Sequence, residues 1–296
     1  MDGIINVYKE KGYTSHDVVA ILRGILKTRK IGHTGTLDPD AEGVLPICVG
    51  KATKVADAIM GSEKVYEAAL RFGCETDTQD ASGEVTQTYQ YEFCQGDAMG
   101  AISSFIGEYE QIPPMYSAVK VGGIKLYELA RQGVEVDRKP RRVAIHDIQV
   151  LSLHESGAVI RVRCSKGTYI RTLCEDIGRR LGYGAHMERL VRLQSGRFAR
   201  EDSCTLDQIE RHMREGHPEA FLQPLDRFFD ELRSVTVGPE QDGMLRNGNP
   251  LRLPRQGGEN PEELLRMYTS ERQFIGLYRI ADVCAREIRV KPYRMF

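Results

Sequence analysis

The sequence predicts an α+β chain with a small β-rich appendage at its end, and three observations carry that prediction. Stretches such as VYEAALRFG (65–73) alternate from residue to residue, as a half-buried strand does. Other stretches place apolar residues at 3.6-residue spacing, as in Val18, Val19, Ile21, Leu22, Ile25 and Leu26. After about residue 215 the texture changes, and from Val235 to Phe296 short strand-like runs are separated by Gly/Asn turns (RNGNP, QGGENP). That last segment is near the lower size limit for a stand-alone core.

Taken in order, residues 3–8 (GIINVY) read as a short strand, and Ser15 is placed to cap the helix that follows. The Gly-rich segment 32–50 reads mostly as loop. In the 65–73 strand, Tyr66, Ala68, Leu70 and Phe72 share one face. TDTQDASGEV is a turn-rich connection, 98–110 a moderate helix, and IPPMYSAVKVGGIK a Pro/Gly-punctuated loop. LYELARQG (126–133) reads as a short helix closed by Gly133. Strands are expected near 143–151 and 158–164, then a turn at 166–168 and a helix from Tyr169 to Leu181 closed by Gly182. HPEAFLQPLDRFFDEL reads as a Pro-interrupted helical linker.

Composition narrows the function classes. The 296 residues suffice for one large domain, or one large and one small. No apolar run reaches the roughly eighteen residues of a membrane span. MDGIINVYKEKGYT lacks a basic-then-apolar signal pattern, so a cytoplasmic location is expected. The seven cysteines form no C-x-x-C pair, which argues against a disulfide framework or zinc ribbon and fits a reducing compartment. Net charge is −1, not the basic footprint of a generic nucleic-acid binder. Charge is uneven, however. Lys27 to Lys30, Arg138 to Arg142, and Arg161, Arg163, Lys166 and Arg171 are local basic groups, each readable as a solvated face or a phosphate-binding one.

The densest chemistry lies in GHTGTLDPDAEGVLP, Gly32 to Pro46. Asp38-Pro-Asp40-Ala-Glu42-Gly43 imitates the start of a calcium loop, but Val49 stands where a bidentate Glu is required. Gly50-Lys51-Ala52-Thr53 imitates the end of a phosphate loop, but Leu45 replaces the first glycine and Ala52 the Ser/Thr. The His212–His217 spacing is no zinc pattern, and no metal or cofactor is expected. What remains is Asp38 on a rigid loop. Pro39 biases it to extended backbone, so its carboxylate is either presented to a ligand or folded into an Asx-turn. Spacing alone leaves both open.

GHTGTLDPDAEGVLPICVGKATK closely resembles the catalytic loop of the TruB family, bacterial synthases that convert uridine 55 of tRNA to pseudouridine. EKVYEAALRFGCETDTQDASGEV, QIPPMYSAVKVGGIKLYELARQG, CSKGTYIRTLCEDIGRRLG and GAHMERLVRLQSG resemble that family's further blocks in the same order. RNGNP, RQFIGLYRI and KPYRMF resemble its PUA-like tail. The likeness spans essentially the whole chain.

The resemblance implies a pseudouridine synthase fold: a large mixed sheet flanked by helices over residues 1–232, and a PUA-like RNA-binding domain over 233–296. It implies Asp38 as nucleophile, with Asp40 and Glu42 shaping or charging the loop, a role a carboxylate suits because it can attack carbon and later leave. It implies that Tyr66 stacks on the target base, where strand alternation alone reads a core aromatic. It implies that Arg171 pairs with Asp38 and keeps it ionised, and that Tyr169 and Leu190 line the uracil pocket. His33 is implied to enter the tRNA T-loop and hold bases flipped out of the stack. Lys120, Lys125, Arg131, Arg141 and Arg142 are candidates for phosphate contacts with the T-arm. Val191 departs from the basic residue often found there, while Arg192 remains. The expected agent is an enzyme acting on tRNA as a monomer, without guide RNA. An RNA-folding factor on the same scaffold, and a guide-dependent cousin, are the alternatives.

Overall fold

A computed structural model describes all 296 residues. In chain order, β1 (Gly3–Lys9) leads into α1 (Ser15–Leu26), and β2 (Ile31–His33) and β3 (Glu42–Val49) bracket the acidic loop. α2 (Ala56–Met60) and β4 (Lys64–Phe72) follow, then the small hairpin of β5 (Cys74–Thr76) and β6 (Val85–Thr88). α3 (Gln95–Ser103) precedes β7 (Gly107–Gln111), and β8 (Lys120–Val121) with β9 (Ile124–Lys125) forms a second hairpin before α4 (Leu126–Ala130). The remainder of this part is β10 (Arg141–His154), β11 (Gly157–Cys164), α5 (Ile170–Leu181), β12 (Ala185–Ser195), β13 (Phe198–Ala199), α6 (Leu206–Glu215) and β14 (Leu222–Gln223).

One large sheet orders these strands β14-β1-β3-β12-β4-β11-β10-β7, with β2 added on β3 and β13 on β12. The β3–β12 pair is parallel and its other ladders are antiparallel, so the sheet is mixed. The alternation of 65–73 places Tyr66, Ala68, Leu70 and Phe72 in the core and turns Arg71 outward. That core is closed by α5, whose Ile170, Leu173, Cys174 and Ile177 repeat at helical spacing and are buried together with Ala68, Ile160 and Val162. α5 ends where expected, at Gly182 in left-handed backbone (φ 72°). A second sheet of β15 (Arg233–Thr236), β16 (Leu251–Pro254), β17 (Leu264–Tyr268), β18 (Phe274–Val283) and β19 (Glu287–Met295) has order β15-β17-β18-β19-β16 and, with α7 (Asp242–Arg246), its own apolar core. Phe229, Phe274 and Phe296 dock it against the first. No helix is long and apolar enough to cross a membrane.

Four local expectations are corrected. Thr14, not Ser15, caps α1: its side chain accepts from Asp17 N–H, and Asp17 returns a bond to Thr14. The second half of 32–50 is the buried strand β3, because the apolar run Val44–Val49 pairs with β1 despite Pro46. The moderate helix of 98–110 ends at Ser103, and Gly107–Gln111 pairs with Arg141–Ile145 as an edge strand. The 217–232 linker is built of short 3₁₀ turns around β14 rather than a helix.

Candidate active site

The loop between β2 and β3 carries Asp38 and is held from three sides. The Lys9 side chain is fully buried beneath it and donates to the carbonyls of Glu10 (3.1 Å), Tyr13 (2.6 Å) and Pro39 (3.2 Å). Burial pushes the Lys9 ammonium down to about 8 against the pull of Asp38. Ser15, freed from capping, accepts from Leu37 N–H (2.9 Å) and donates to Leu37 carbonyl (3.1 Å). Thr34 Oγ1 donates to Pro46 carbonyl (2.9 Å), and Ala41 N–H closes the turn on Asp38 carbonyl (3.1 Å). Leu37, 3% exposed, anchors the loop in the core. Backbone and side chain are thus fixed on both sides of one acid, so its position is set before any ligand arrives.

Asp38 meets Arg171 at the first turn of α5. Arg171 Nε lies 3.1 Å from Asp38 Oδ2, and the side chains are 6% and 38% exposed. The cation is sealed in the protein while the carboxylate stays open to a ligand. Arg171 is held in turn by Thr78 carbonyl (3.1 Å), Tyr116 carbonyl (2.8 Å) and Asp80 (3.5 Å). The expected pair is present, with a different electrostatic balance. Burial raises the Asp38 carboxyl above its ordinary value, Arg171 opposes that rise, and Asp80 adds to it. Arg171 offsets a desolvation cost, and the carboxylate it faces is a stronger base than a solvated aspartate.

Tyr66 and Leu190 lie in one apolar cluster with Leu37 and Ile170. Tyr66 is 9% exposed, the core aromatic that alternation implies. Burial raises its phenol, and the positive charge of Arg192 works the other way. Tyr169 immediately precedes α5, where Gln111 clamps its backbone: Tyr169 N–H donates to Gln111 Oε1 (2.8 Å), and Tyr169 carbonyl accepts from Nε2 (2.9 Å). His33 stands apart from this group. Its ring meets His16 edge-on at 5.2 Å, and burial lowers its basicity. Of the basic candidates, Lys125 and Arg131 lie over the Tyr127 ring, Lys120 and Arg141 are exposed, and Arg142 is paired with Glu108 at 2.6 Å.

The family model for the N-terminal domain of TruB family pseudouridylate synthases matches residues 23–170. That for the tRNA pseudouridylate synthase B C-terminal domain matches 171–230. The chain belongs to the TruB family. Among curated relatives named tRNA pseudouridine synthase B, the Lachnoclostridium phytofermentans protein is 46% identical and the Geobacillus thermodenitrificans protein 43%, each over the full length of both chains. The Clostridium perfringens protein is 43% identical over 94% of both. A solved H/ACA ribonucleoprotein bound to a substrate RNA containing 2′-deoxyuridine superposes with TM-score 0.70 at 26% identity, covering 99% of this chain and 84% of that one. The TruB chain is therefore an isomerase, a pseudouridine synthase on a mixed α+β scaffold.

Sequence reasoning missed Asp80, Gln111 and Lys9, and named Arg192 without its burial. Asp80 sits in what reads only as a turn, and Gln111 on a strand read as helix. Lys9 ends an apolar strand, and only the register of β12 against β4 shows that Arg192 points inward.

Proposed function

We propose that this enzyme isomerises uridine 55 in the T-loop of tRNA to pseudouridine, with Asp38 as nucleophile, a flipped-out base and no guide RNA. The observation that carries the reading is the Asp38–Arg171 pair, with its half-open carboxylate, beside Tyr66 and Leu190. The family membership and the tRNA-synthase names of relatives at 43–46% identity support tRNA as substrate, whereas the superposed ribonucleoprotein is only 26% identical.

In this reading the uridine leaves its stack because its glycosidic carbon is inaccessible within it. The Asp38 carboxylate attacks the nucleotide and later departs, splitting glycosidic cleavage and C–C rejoining into two steps. Arg171 holds the carboxylate's direction and stabilises its charge when it is released. Tyr66 stacks on the base, Tyr169 and Leu190 line the uracil pocket, and His33 holds the opened T-loop. The basic side chains Lys120, Lys125, Arg131 and Arg141 contact T-arm phosphates. The monomer works in the cytoplasm, with residues 1–232 catalytic and 233–296 adding RNA contacts.

The test uses purified protein and an unmodified tRNA transcript, with pseudouridine mapped by carbodiimide and reverse transcription. A T-loop stop with wild type and none with Asp38→Asn is expected. Pseudouridine made by Asp38→Asn would remove Asp38 from its role, and a stop elsewhere would reassign the substrate.

A further inference from the structure

We propose that Gln79 is a positioning residue for the isomerisation: its side-chain amide clamps the β5–β6 turn to α5, and the turn so placed fixes the Arg171 guanidinium that faces Asp38. The proposal rests on the function proposed above and adds to it a residue that acts only through Arg171.

Gln79 lies in the turn between β5 and β6, between the two residues that hold Arg171 from that side. Thr78 carbonyl accepts from Arg171 Nη1 at 3.1 Å, and Asp80 Oδ2 lies 3.5 Å from the same nitrogen. The Gln79 side chain turns to α5 instead. Its Oε1 accepts from Thr172 Oγ1 at 2.8 Å, and its Nε2 donates to Glu175 Oε2 at 2.5 Å. Thr172 and Glu175 are one helical turn apart and buried, so the amide spans one turn of the helix immediately after Arg171. Glu175 is anchored on its far side by Arg179 at 3.2 Å, and Arg179 is bound by both oxygens of Glu75 on β5, at 3.0 and 2.8 Å.

Two features of the turn make this clamp matter. The first is that the hairpin has little apolar burial to hold it, since all four residues of β6 are exposed. Its place depends on polar bonds. Gln79 carbonyl accepts from Met187 N–H at 3.0 Å and Ala81 N–H donates to Met187 carbonyl at 2.9 Å, which fixes the turn against β12. The bonds that cross to α5 are those to Arg171 and the two made by Gln79. Without the amide, Thr78 and Asp80 would be held to α5 only by the guanidinium they are meant to hold. The second feature is the backbone. Gln79 has φ +64°, left-handed backbone that glycine adopts without steric cost and glutamine does not. A glutamine there accepts strain in exchange for the two side-chain bonds, and strain held in place beside a reacting group is a mark of a positional role.

The experiment compares Gln79→Gly, Thr172→Val and Arg171→Met, singly and in pairs, in single-turnover pseudouridine formation, with tRNA affinity measured alongside. Gln79→Gly suits the backbone and deletes the clamp. It is expected to bind tRNA as wild type does and to lose about 10-fold in rate, as a small misplacement of Arg171 would cause. Thr172→Val removes one of the two bonds from the helix side and should lose less, in the same direction and not additively with Gln79→Gly. In the Arg171→Met background Gln79→Gly should cost less than about 2-fold, because the group it positions is gone. Equal losses with and without Arg171, an unchanged rate, or a loss carried by affinity would overturn the proposal. Carboxyl ¹³C NMR reads the same clamp without catalysis. The Asp38 signal, assigned by its disappearance in Asp38→Asn, should titrate at higher pH in Gln79→Gly and in Thr172→Val, because a loosened Arg171 opposes the effect of burial less. An unmoved titration would refute the clamp. Failure of the function reading would leave this arm intact, so the two failures are distinguishable.

Discussion

Two segments meet at Arg171, and they are built in opposite ways. The Asp38 loop is pinned by Lys9, Ser15, Thr34 and Arg192, with Leu37 sunk in the core. The 112–135 arm exposes Ile112, Val121, Ile124 and Val134, and Lys125 and Arg131 lie over its own Tyr127. Yet Arg171 donates to Tyr116 carbonyl of the arm at 2.8 Å while pairing with Asp38 at 3.1 Å. Under the proposed function, rigidity lies where the reacting atom is held, and exposed surface lies where the RNA is gripped.

Arg171→Met cuts the join and should have the largest effect. Single-turnover rate is expected to fall by about 1,000-fold, the upper range for losing one preorganised charged donor, with little loss of tRNA affinity. A fall in affinity that accounts for the whole loss would make Arg171 a binding residue of the arm. The arm is tested by Lys120→Ala, Lys125→Ala and Arg131→Ala together. Affinity should drop about 10- to 100-fold, and the slope of log affinity against log salt should flatten by about 2, as for two or three lost phosphate contacts. The rate at saturating tRNA should not change. An unaltered salt slope would remove these residues from the RNA interface.

The same contrast explains what the sequence displayed. Strand alternation around Tyr66, the helical face of α5 and the Gly182 stop are local patterns, and they read directly. Asp38 stands out because Gly and Pro mark an irregular path around it. The supports do not read. Ser15 looks like a cap because Ser fits one, and only the folded chain shows Thr14 capping while Ser15 bonds Leu37. Arg192 looks like a surface cation because its inward direction depends on pairing with β4, far away in sequence. Asp80 gains meaning only when α5 brings Arg171 to within 3.5 Å of it. Asp38 sits in marked local sequence, whereas the residues that hold it are assembled by long-range pairing.

Ser15→Ala probes the pinned side more gently. It removes both bonds to the Leu37 peptide and leaves that buried N–H without a partner. A loss of about 1–2 kcal/mol in stability is expected. The rate should fall by roughly 10-fold as the Asp38 position loosens. A stability loss with full activity would mean that the loop is held well enough by Lys9 and Arg192.

The smallest effect concerns the turn that steadies Arg171 from behind. Glu175, one turn further along α5, is buried, accepts from Gln79 Nε2 at 2.5 Å and lies 3.2 Å from Arg179. Burial pushes its carboxyl up to about 7 despite Arg179. Its folded value thus exceeds its unfolded one, so the native state holds more protons between roughly pH 4.5 and 7. The stability this contributes is complete below that window and is lost as pH rises through it. Glu175→Gln keeps the shape and removes the titration. The variant should gain on wild type with rising pH, by up to about 1 kcal/mol per unit inside the window, in urea melts at pH 5, 6 and 7. Asp176 is raised to about 6 and shifts the same way, but it is present in both proteins and cancels in the difference. Parallel stability curves would mean that Glu175 stays ionised beside Arg179, and that the turn behind Arg171 is held by an ion pair rather than a protonated acid.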